Sequence, residues 1–510
     1  MEQEIKEKIL LFSDLIKKVK AAKRKGQTIV QSHGIFDLVH PGIIQHLNDA
    51  RQQGDVLVVT VVRDKDVRRG PGRPIFPEQL RAENVASLAQ VDFVSIVEDT
   101  IPFESVRKIK PDTFTKGQAY KERDRQIHKK IYEEEKEFYF GKSAIYETRG
   151  FSFSSSNIIN NFHDLYPDDT KDFLKQFGRK YSFGNIVEHL DDLKKMRVLL
   201  IGDGIIDEYH YCTAMGRSSK NPIIVNKYIT HEIFAGAVFI IANHIAGLCK
   251  DVQLVTLLGQ EDSRKEFILD NLKPNVKAKF FFRDDGSTII KKRYINQYLN
   301  QKLFEINYLN ENYINGPCEA EILEYLDKQL PKYDLVLVSD FGHGFITNDI
   351  IRLVEKKSRM FAVNTQTNAA NTGYNMITRY RGPHFVCLDE SEARLATQDK
   401  FSEIESVAKK VSREIDSDFL IVTLGKKGSI GINRNNEVNF TPIFSTKVVD
   451  TVGAGDAFFA FTAPCFAKGM PLDLVSFIGN AVGALAVQIV GNKKPVEKHE
   501  LLEFVHTILK

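Results

Sequence analysis

The chain has 510 residues, too many for one hydrophobic core, so more than one domain is expected. Its composition, 43% hydrophobic and 27% charged, is ordinary for a globular protein, and a net charge of +3 with acids and bases interspersed gives no case for nucleic acid as a partner. Cys212, Cys249, Cys318, Cys387 and Cys465 are scattered without a C-x-x-C pair, no apolar run reaches transmembrane length, and the N-terminus does not look like a signal peptide, so the expectation is a cytoplasmic enzyme with neither disulfide framework, zinc site nor membrane partner.

Residues 3–24 carry Ile5, Ile9, Leu10, Phe12, Leu15, Ile16 and Val19 at helical spacing and predict an amphipathic helix. Gln27 to Gln31 reads as a buried strand. It runs into the Gly/His turn Ser32 to Val39 and a helix opened by His40-Pro41-Gly42. Strand, turn and helix in this order outline an α/β nucleotide site, because the helix N-terminus favours phosphate. His40 at that helix start can donate a hydrogen bond to a phosphate oxygen, or simply cap the helix. Val56 to Val62 predicts another strand, and Arg63 to Pro74 a basic Gly/Pro loop, either solvated or gripping phosphate. Pro77 to Arg81 opens a helix and Val91 to Val97 a further strand. Residues 121–140 are highly charged and read as a solvated helix. Residues 163–195 lack a clear period and are the expected linker, with room for short helices.

The stretch from Gly34 to Ile43 resembles the G-x-F-D-x-x-H-x-G-H signature of the cytidylyltransferase-like nucleotidylyltransferases. His40 falls on the first signature histidine. The resemblance implies nucleotide-binding roles for Gly34, Phe36 and Gly42. The second histidine is replaced by Ile43, which can donate nothing to a phosphate. Lys110 to Tyr120 resembles the family's lysine-glycine stretch near the triphosphate, and this implies that Lys116 acts with His40 on the α-phosphate. Phe153 to Ile159 stands where the family has its Ser/Thr-rich motif, placing Ser154, Ser155 and Ser156 toward the nucleotide phosphates. The resemblance covers about residues 25 to 162 and is greatest to the nucleotidylyltransferase half of bacterial enzymes that make nucleotide-activated heptose.

At Met196 the pattern restarts. Val198 to Ile201 is a buried strand ending in Gly202-Asp203-Gly204-Ile205-Ile206-Asp207. Thr288 to Arg293 and Tyr294 to Leu303 read as paired strands, with Lys291, Lys292 and Arg293 facing either solvent or a sugar phosphate. Leu335 to Ser339 leads to the turn Asp340-Phe341-Gly342-His343-Gly344. Leu420 to Thr423 is followed by Leu424-Gly425-Lys426-Lys427-Gly428. Near the end, Asp450-Thr451-Val452-Gly453-Ala454-Gly455-Asp456-Ala457 precedes the apolar run Phe458 to Phe466, a buried helix. The glycines let backbone N–H groups approach a ligand at a helix N-terminus that favours anions. A carboxylate at the mouth of such a site needs a reason, and taking a proton from an attacking hydroxyl is one.

That string resembles the C-terminal signature of ribokinase-like sugar kinases. The resemblance implies that Asp456 is the catalytic base and that Gly453, Ala454 and Gly455 form the anion hole. It further implies that Asp207 binds sugar hydroxyls; among the three basic residues of the strand, Lys292 is the one expected at the substrate. Asp389-Glu390-Ser391-Glu392 resembles the Asn-x-x-Glu motif, so Glu392 is expected to organise Mg²⁺ through water. Thr423, Gly425 and Asn480 are expected around the ATP nucleoside and phosphates. Two departures from the family stand out: Phe239 takes the place of a sugar-touching asparagine, and the stretch Phe361 to Asn368, which contains Asn364-Thr365-Gln366, replaces Asp-Pro-Lys, so that amides stand for a charged pair.

The expected architecture is α/β throughout: a Rossmann-like nucleotidylyltransferase domain at 1–165, a linker at 166–195 and a ribokinase-like α/β sandwich at 196–510. The expected function is bifunctional, with a kinase step on a sugar or sugar phosphate and nucleotidyl transfer to a sugar 1-phosphate with release of pyrophosphate. The bacterial heptose fusions carry the kinase first, and here the order is reversed. The cofactors expected are Mg²⁺ and ATP, with ATP or CTP as the second nucleoside triphosphate, and a homodimer is a candidate assembly. The alternatives are a kinase whose N-terminal domain only binds nucleotide, motivated by Ile43, and a scaffold built from two decayed enzyme folds.

Overall fold

A computed structural model of the chain describes residues 2–67, 69–99, 102–117, 144–148, 166–299, 301–369, 371–445 and 447–510. The charged stretch 121–140 and Ser154, Ser155 and Ser156 lie outside the described residues. The chain divides into two compact units. One runs to Val187 and includes His499–Lys510; the other is Glu188–Lys498.

In the first unit, β1 (Ile29–Gly34), β2 (Val56–Val62), β3 (Phe93–Val97), β4 (Thr113–Gly117) and β5 (Ala144–Thr148) form a parallel sheet in the order β3-β2-β1-β4-β5. β2 is buried at every position. Its run of β-branched residues, interrupted only by Leu57, suits a strand covered on both faces. Strand order reverses between β1 and β4, and the crevice at their carboxyl ends is where such sheets hold ligands. The single helix expected over 3–24 is broken into Glu2–Lys8 and Phe12–Arg24. Between them Ile9 bridges to Val94, and the Leu10 N–H donates to the Val94 carbonyl at 2.9 Å. The open edge of β3 captures this segment and outweighs its helical period.

The stretch expected as a linker is mostly helical, with Asp168–Lys180 and Phe183–Asp191. Leu174 and Phe177 bury one face of the first of these, a stripe masked in the sequence by its many charges. The last helix, Lys498–Ile508, contributes Phe504 to the first unit. Its ring occupies the space where a Cβ on Gly70 would lie, only 2.0 Å from a ring carbon, so the basic loop and this helix are in contact.

The second unit is built on two sheets. The larger contains β6 (Arg197–Gly202), β9 (Asp251–Glu261), β10 (Val276–Ser287), β13 (Leu335–Asp340), β14 (Phe361–Thr365), β15 (Phe385–Asp389), β16 (Phe419–Thr423), β17 (Ser429–Asn433) and β18 (Val438–Thr441). Their order is β10-β9-β6-β13-β14-β15-β16-β17-β18, parallel as far as β16 and antiparallel beyond it. Val336, Val338, Val363, Val386 and Leu388 from its central strands join one hydrophobic core with Ile322, Ile350 and Val411 from the covering helices. The smaller sheet contains β7 (Gly204–Arg217), β8 (Ile224–Ala237), β11 (Ile289–Asn296) and β12 (Gln301–Tyr308), ordered β12-β11-β7-β8. The hairpin expected within 288–303 is present as β11 and β12, with its turn several residues later than the sequence suggests.

Candidate active sites

Asp207 stands on β7 with both carboxylate oxygens engaged. Arg293 of β11 donates to Oδ1, and the Asn492 amide donates to Oδ2 at 2.9 Å. Gly236 on β8 backs it so closely that a Cβ there would lie 2.1 Å from Oδ2. In register, Lys291 is opposite Asp207, Lys292 opposite Glu208 and Arg293 opposite Tyr209. Side chains alternate along a strand, so Lys291 and Arg293 share the face of Asp207 and Lys292 does not. This corrects the expectation for Lys292. It bonds Glu208 at 3.4 Å and lies over the Tyr308 ring at 4.8 Å. Lys291 is buried, which pushes its pKa down, while Asp207 opposes that effect.

Asp450 opens the signature string and is itself a hub. It accepts from Tyr209 Oη at 2.9 Å, Lys302 Nζ at 2.8 Å, and the N–H groups of Gly491 at 2.9 Å and Val452 at 3.2 Å. Burial pushes its pKa up, but Lys302 and the two N–H groups together hold it below the ordinary value. Gly453, at φ +81°, caps the helix Ala454–Ala467. A Cβ at Gly453 would lie 2.2 Å from Asn492 Oδ1, so both backbone conformation and space demand glycine. The first-turn N–H groups of this helix have no intrahelical acceptor and face the site with the positive end of the dipole.

Asp456 is the third residue of that helix and is buried. Its Oδ1 accepts from Gln366 Nε2 at 2.5 Å. Burial pushes its pKa up to about 6; Gln366 and Lys291 oppose the rise and Asp207 adds to it. A carboxyl group titrating near neutrality can accept a proton and return it to solvent.

Glu392 lies in the first turn of the helix Glu390–Thr397. It forms a capping box with Asp389, each side chain accepting from the other's N–H at 2.8 Å, and its Oε1 accepts from the Thr367 N–H at 3.0 Å. Burial pushes its pKa to about 8, with Asp389 adding to the rise. No group of three or more metal-ligating side chains occurs among the described residues. This donor set fits a Mg²⁺ carried by nucleotide phosphates and water, with Glu392 accepting from the water shell, and does not fit an all-protein cage.

The other expected positions divide. Gly425 has φ +56° and open space around its Cα, suited to close approach of a nucleotide. Thr423 Oγ1 donates to the Leu388 carbonyl at 3.4 Å. The Asn480 amide N–H groups are already used on Ser429 Oγ at 2.6 Å and the Ser476 carbonyl at 2.9 Å. Phe239 is fully buried and fills the space above Gly204, where a Cβ would lie 2.5 Å from its ring. It is a core residue, and the amide beside Asp207 comes instead from Asn492.

In the first unit, His40 caps the helix Pro41–Arg51, its Nδ1 accepting from the Gly42 N–H at 3.2 Å. Burial lowers its pKa. The neutral ring therefore keeps its proton on Nε2, where it can donate. Gly34 ends β1, and a Cβ there would crowd the Phe36 ring at 3.2 Å; Phe36 itself takes φ +52°. Lys116 lies on β4, whose register places Thr115 beside Ser32 of β1, so both strands end at the same crevice. Ile43 packs against the core around Leu47 and Val59. His46, one helical turn further on, does not substitute for the absent histidine: its ring bonds Ser32 Oγ at 2.8 Å and Thr148 Oγ1 at 2.7 Å, and burial pushes its pKa down to about 4.

The basic loop is anchored at its far end, where Asp37 accepts from the Ile75 and Phe76 N–H groups at 2.8 and 3.0 Å. Fully buried Arg81 ties the surrounding loops together. It donates to the carbonyls of Ile35, of Phe76 at 2.9 Å and of Val62 at 2.7 Å, and to Asp64 at 2.6 Å.

Residues 198–499 match the family described as pfkB family carbohydrate kinase. The chain belongs to that family. Residues 32–161, ahead of this pfkB unit, match the cytidylyltransferase-like family. Among curated proteins, the bifunctional protein HldE of Haemophilus influenzae strain PittEE is 25% identical over 323 residues, 63% of this chain and 66% of that protein. HldE of Campylobacter jejuni strain RM1221 is 23% identical over 302 residues, 59% of this chain and 62% of that protein. These matches span just under two thirds of the relatives. Among solved structures, the tetrameric inhibited form of phosphofructokinase-2 from Escherichia coli aligns with a TM-score of 0.50 at 12% identity, over 62% of this chain and all of that one. That likeness is one of fold.

Within the pfkB unit, the signature residues assemble around Asp456 and Asp207. The sequence reading missed Asn492, Tyr209 and Lys302. Asn492 directly follows Gly491, a glycine just past the last apolar run of the signature region, and that adjacency was the available signal. Tyr209 and Lys302 carry no signal in the sequence; only the pairing of the small sheet brings them to Asp450.

Proposed function

We propose that this chain is a bifunctional enzyme of nucleotide-activated, heptose-like sugar biosynthesis. Its second unit transfers the γ-phosphoryl group of ATP to a sugar or sugar phosphate, and its first transfers a nucleotidyl group from ATP or CTP to a sugar 1-phosphate. The observation that carries the reading is Asp456, buried at the start of a helix whose positive N-terminal end attracts phosphate, with Asp207 and Asn492 beside it.

In the kinase step the acceptor hydroxyl is oriented by Asp207. Asp456 takes its proton as the oxygen attacks the γ-phosphorus. The new O–P bond forms, the bond to the β,γ-bridging oxygen breaks, and ADP leaves with that electron pair. The N–H groups at Gly453 to Gly455 stabilise the phosphoryl oxygens, so catalysis rests on positioning and electrostatics. When bound, Mg²⁺ supplies charge neutralisation for the phosphates, with Glu392 accepting from its waters. In the nucleotidyl step the sugar phosphate oxygen attacks the α-phosphorus and pyrophosphate departs. His40 Nε2–H and Lys116 stabilise the added charge, and Ser154, Ser155 and Ser156 are assigned to the phosphates by resemblance alone.

A second reading, a kinase with a nucleotide-binding but catalytically weak first unit, is favoured by one observation: Ile43 is committed to the core and His46 to Ser32 and Thr148. Separate measurement of ADP and pyrophosphate release decides between the two. A homodimer through the outer face of the small sheet is proposed from its exposed Ile224, Tyr228, Phe304, Ile306 and Tyr308. A cytoplasmic location is proposed on the five cysteines, scattered in the sequence and none of them in a disulfide.

A further inference from the structure

Where β14 ends, the chain departs from its family pattern by carrying Asn364-Thr365-Gln366, and the geometry gives that departure a purpose. The Gln366 amide donates through the same Nε2 to Asp456 Oδ1 at 2.5 Å and to Asn364 Oδ1 at 3.1 Å. Asn364 is fixed in turn, because its Nδ2 donates to the Cys387 carbonyl on β15 at 2.9 Å, leaving its oxygen as the acceptor. Two acceptors at one end of the Gln366 side chain settle which end carries the NH₂. The backbone around it is pinned as well. The Gln366 N–H donates to the Asp340 carbonyl at 2.8 Å, and the next N–H, of Thr367, donates to Glu392. A half-buried amide whose NH₂ is held between two acceptors, on a backbone pinned at both ends, holds its partner in one orientation.

We propose that Gln366 is the positioning residue of Asp456, an amide arm anchored on Asn364 that fixes the carboxylate for proton removal without adding a charge. The inference rests on the kinase reading and extends it to a residue outside the signature string. A lysine at the same place would also donate, but as a cation it would stabilise the carboxylate and make it a weaker base. A neutral donor orients Asp456 and leaves its basicity to burial and to the charges that face it. Those are Asp207 from β7 and Lys291 from β11, with Glu392 and the Cys387 thiol also within its field.

The test uses the full-length protein with Gln366→Met, which keeps the length and removes the donor, and Gln366→Lys, which restores a donor with charge. With the acceptor that gives ADP release, kcat of Gln366→Met is expected to fall roughly 10- to 100-fold, the range for a lost bond to a charged group, with KM for ATP within about threefold. The acid limb of its pH–rate profile moves to higher pH, because a donor that favoured the ionised carboxylate is gone. Gln366→Lys is expected to recover most of kcat and to move the limb below that of the native enzyme. ¹³C NMR titration of the Asp456 carboxyl, assigned by its loss in Asp456→Asn, reads the same shifts without turnover. An unchanged kcat and limb in Gln366→Met, a loss confined to KM, or shifts of the same sign in both variants would overturn the proposal. If no acceptor supports ADP release in the native protein, the kinase reading fails, and the NMR titration still decides whether Gln366 controls Asp456.

Discussion

Replacing Asp456 by Asn separates chemistry from binding in one step. The amide keeps the size of the carboxyl and can still accept from Gln366, but it cannot take up the acceptor proton. ADP formation should fall ~100-fold or more, the range for a lost general base. ATP affinity should stay within a few-fold or tighten, because a negative charge beside the γ-phosphate is gone. Stability should change in a pH-dependent way. The folded pKa of Asp456 is raised from 3.8 to about 6 by burial, so the fold favours the protonated form. Its contribution is complete below the unfolded pKa and is lost as pH rises through about 6. At about 1.4 kcal/mol per pH unit, holding the ionised group costs about 3 kcal/mol at pH 8. Asp456→Asn should therefore be more stable than the native chain at pH 8 by up to that amount, with the advantage gone near pH 4. Denaturant titration at both pH values, calorimetric ATP binding and a coupled ADP assay on one preparation measure all three effects. Full kinase activity in the variant would refute the base assignment, loss of ATP binding would make the carboxylate a structural or metal-anchoring group, and a pH-independent stability difference would refute its buried titration.

The first unit has its own tests. His40→Ala should lower pyrophosphate release by ~100-fold, as for loss of an oxyanion-type donor, and leave ADP release unchanged; an active variant would remove His40 from the mechanism. Ile43→His should give no gain, since that side chain packs on the core, and a gain in pyrophosphate release would favour the attenuated-site reading. Phe504→Ala should destabilise the first unit by about 3–5 kcal/mol, as for an aromatic removed from a core, and reduce pyrophosphate release while sparing ADP release. Equal loss of both products would show that the last helix does not serve the first unit selectively.

Much of both sites was legible because the motifs are local. His40, Gly42, Gly453 and Asp456 each sit at a helix start that glycine, proline and hydrophobic spacing announce in the sequence. What escaped was set by pairing between distant segments. Whether Lys291 or Lys292 faces Asp207 depends on the register of β11 against β7, and a one-residue difference moves a side chain to the other face. The break at Ile9 reflects an edge strand some eighty residues away. The link from Gln366 to Asp456 spans ninety positions and joins two segments whose own patterns say nothing of each other. Arg81, which the sequence places only near a helix start, is buried, because the carbonyls it serves come from three separate segments.

The central claim, two transferase chemistries in one chain, is tested most directly by incubating the native protein with a panel of sugars, sugar phosphates and sugar 1-phosphates. Each is supplied with ATP, CTP, GTP or UTP in the presence of Mg²⁺, and ADP and pyrophosphate are followed as separate products. Acceptor-dependent ADP release should be abolished by Asp456→Asn and spared by His40→Ala. Sugar 1-phosphate-dependent pyrophosphate release from ATP or CTP should show the reverse pattern. ADP release without pyrophosphate from any pair would leave a kinase with a binding-only first unit, and release of neither product would contradict the account.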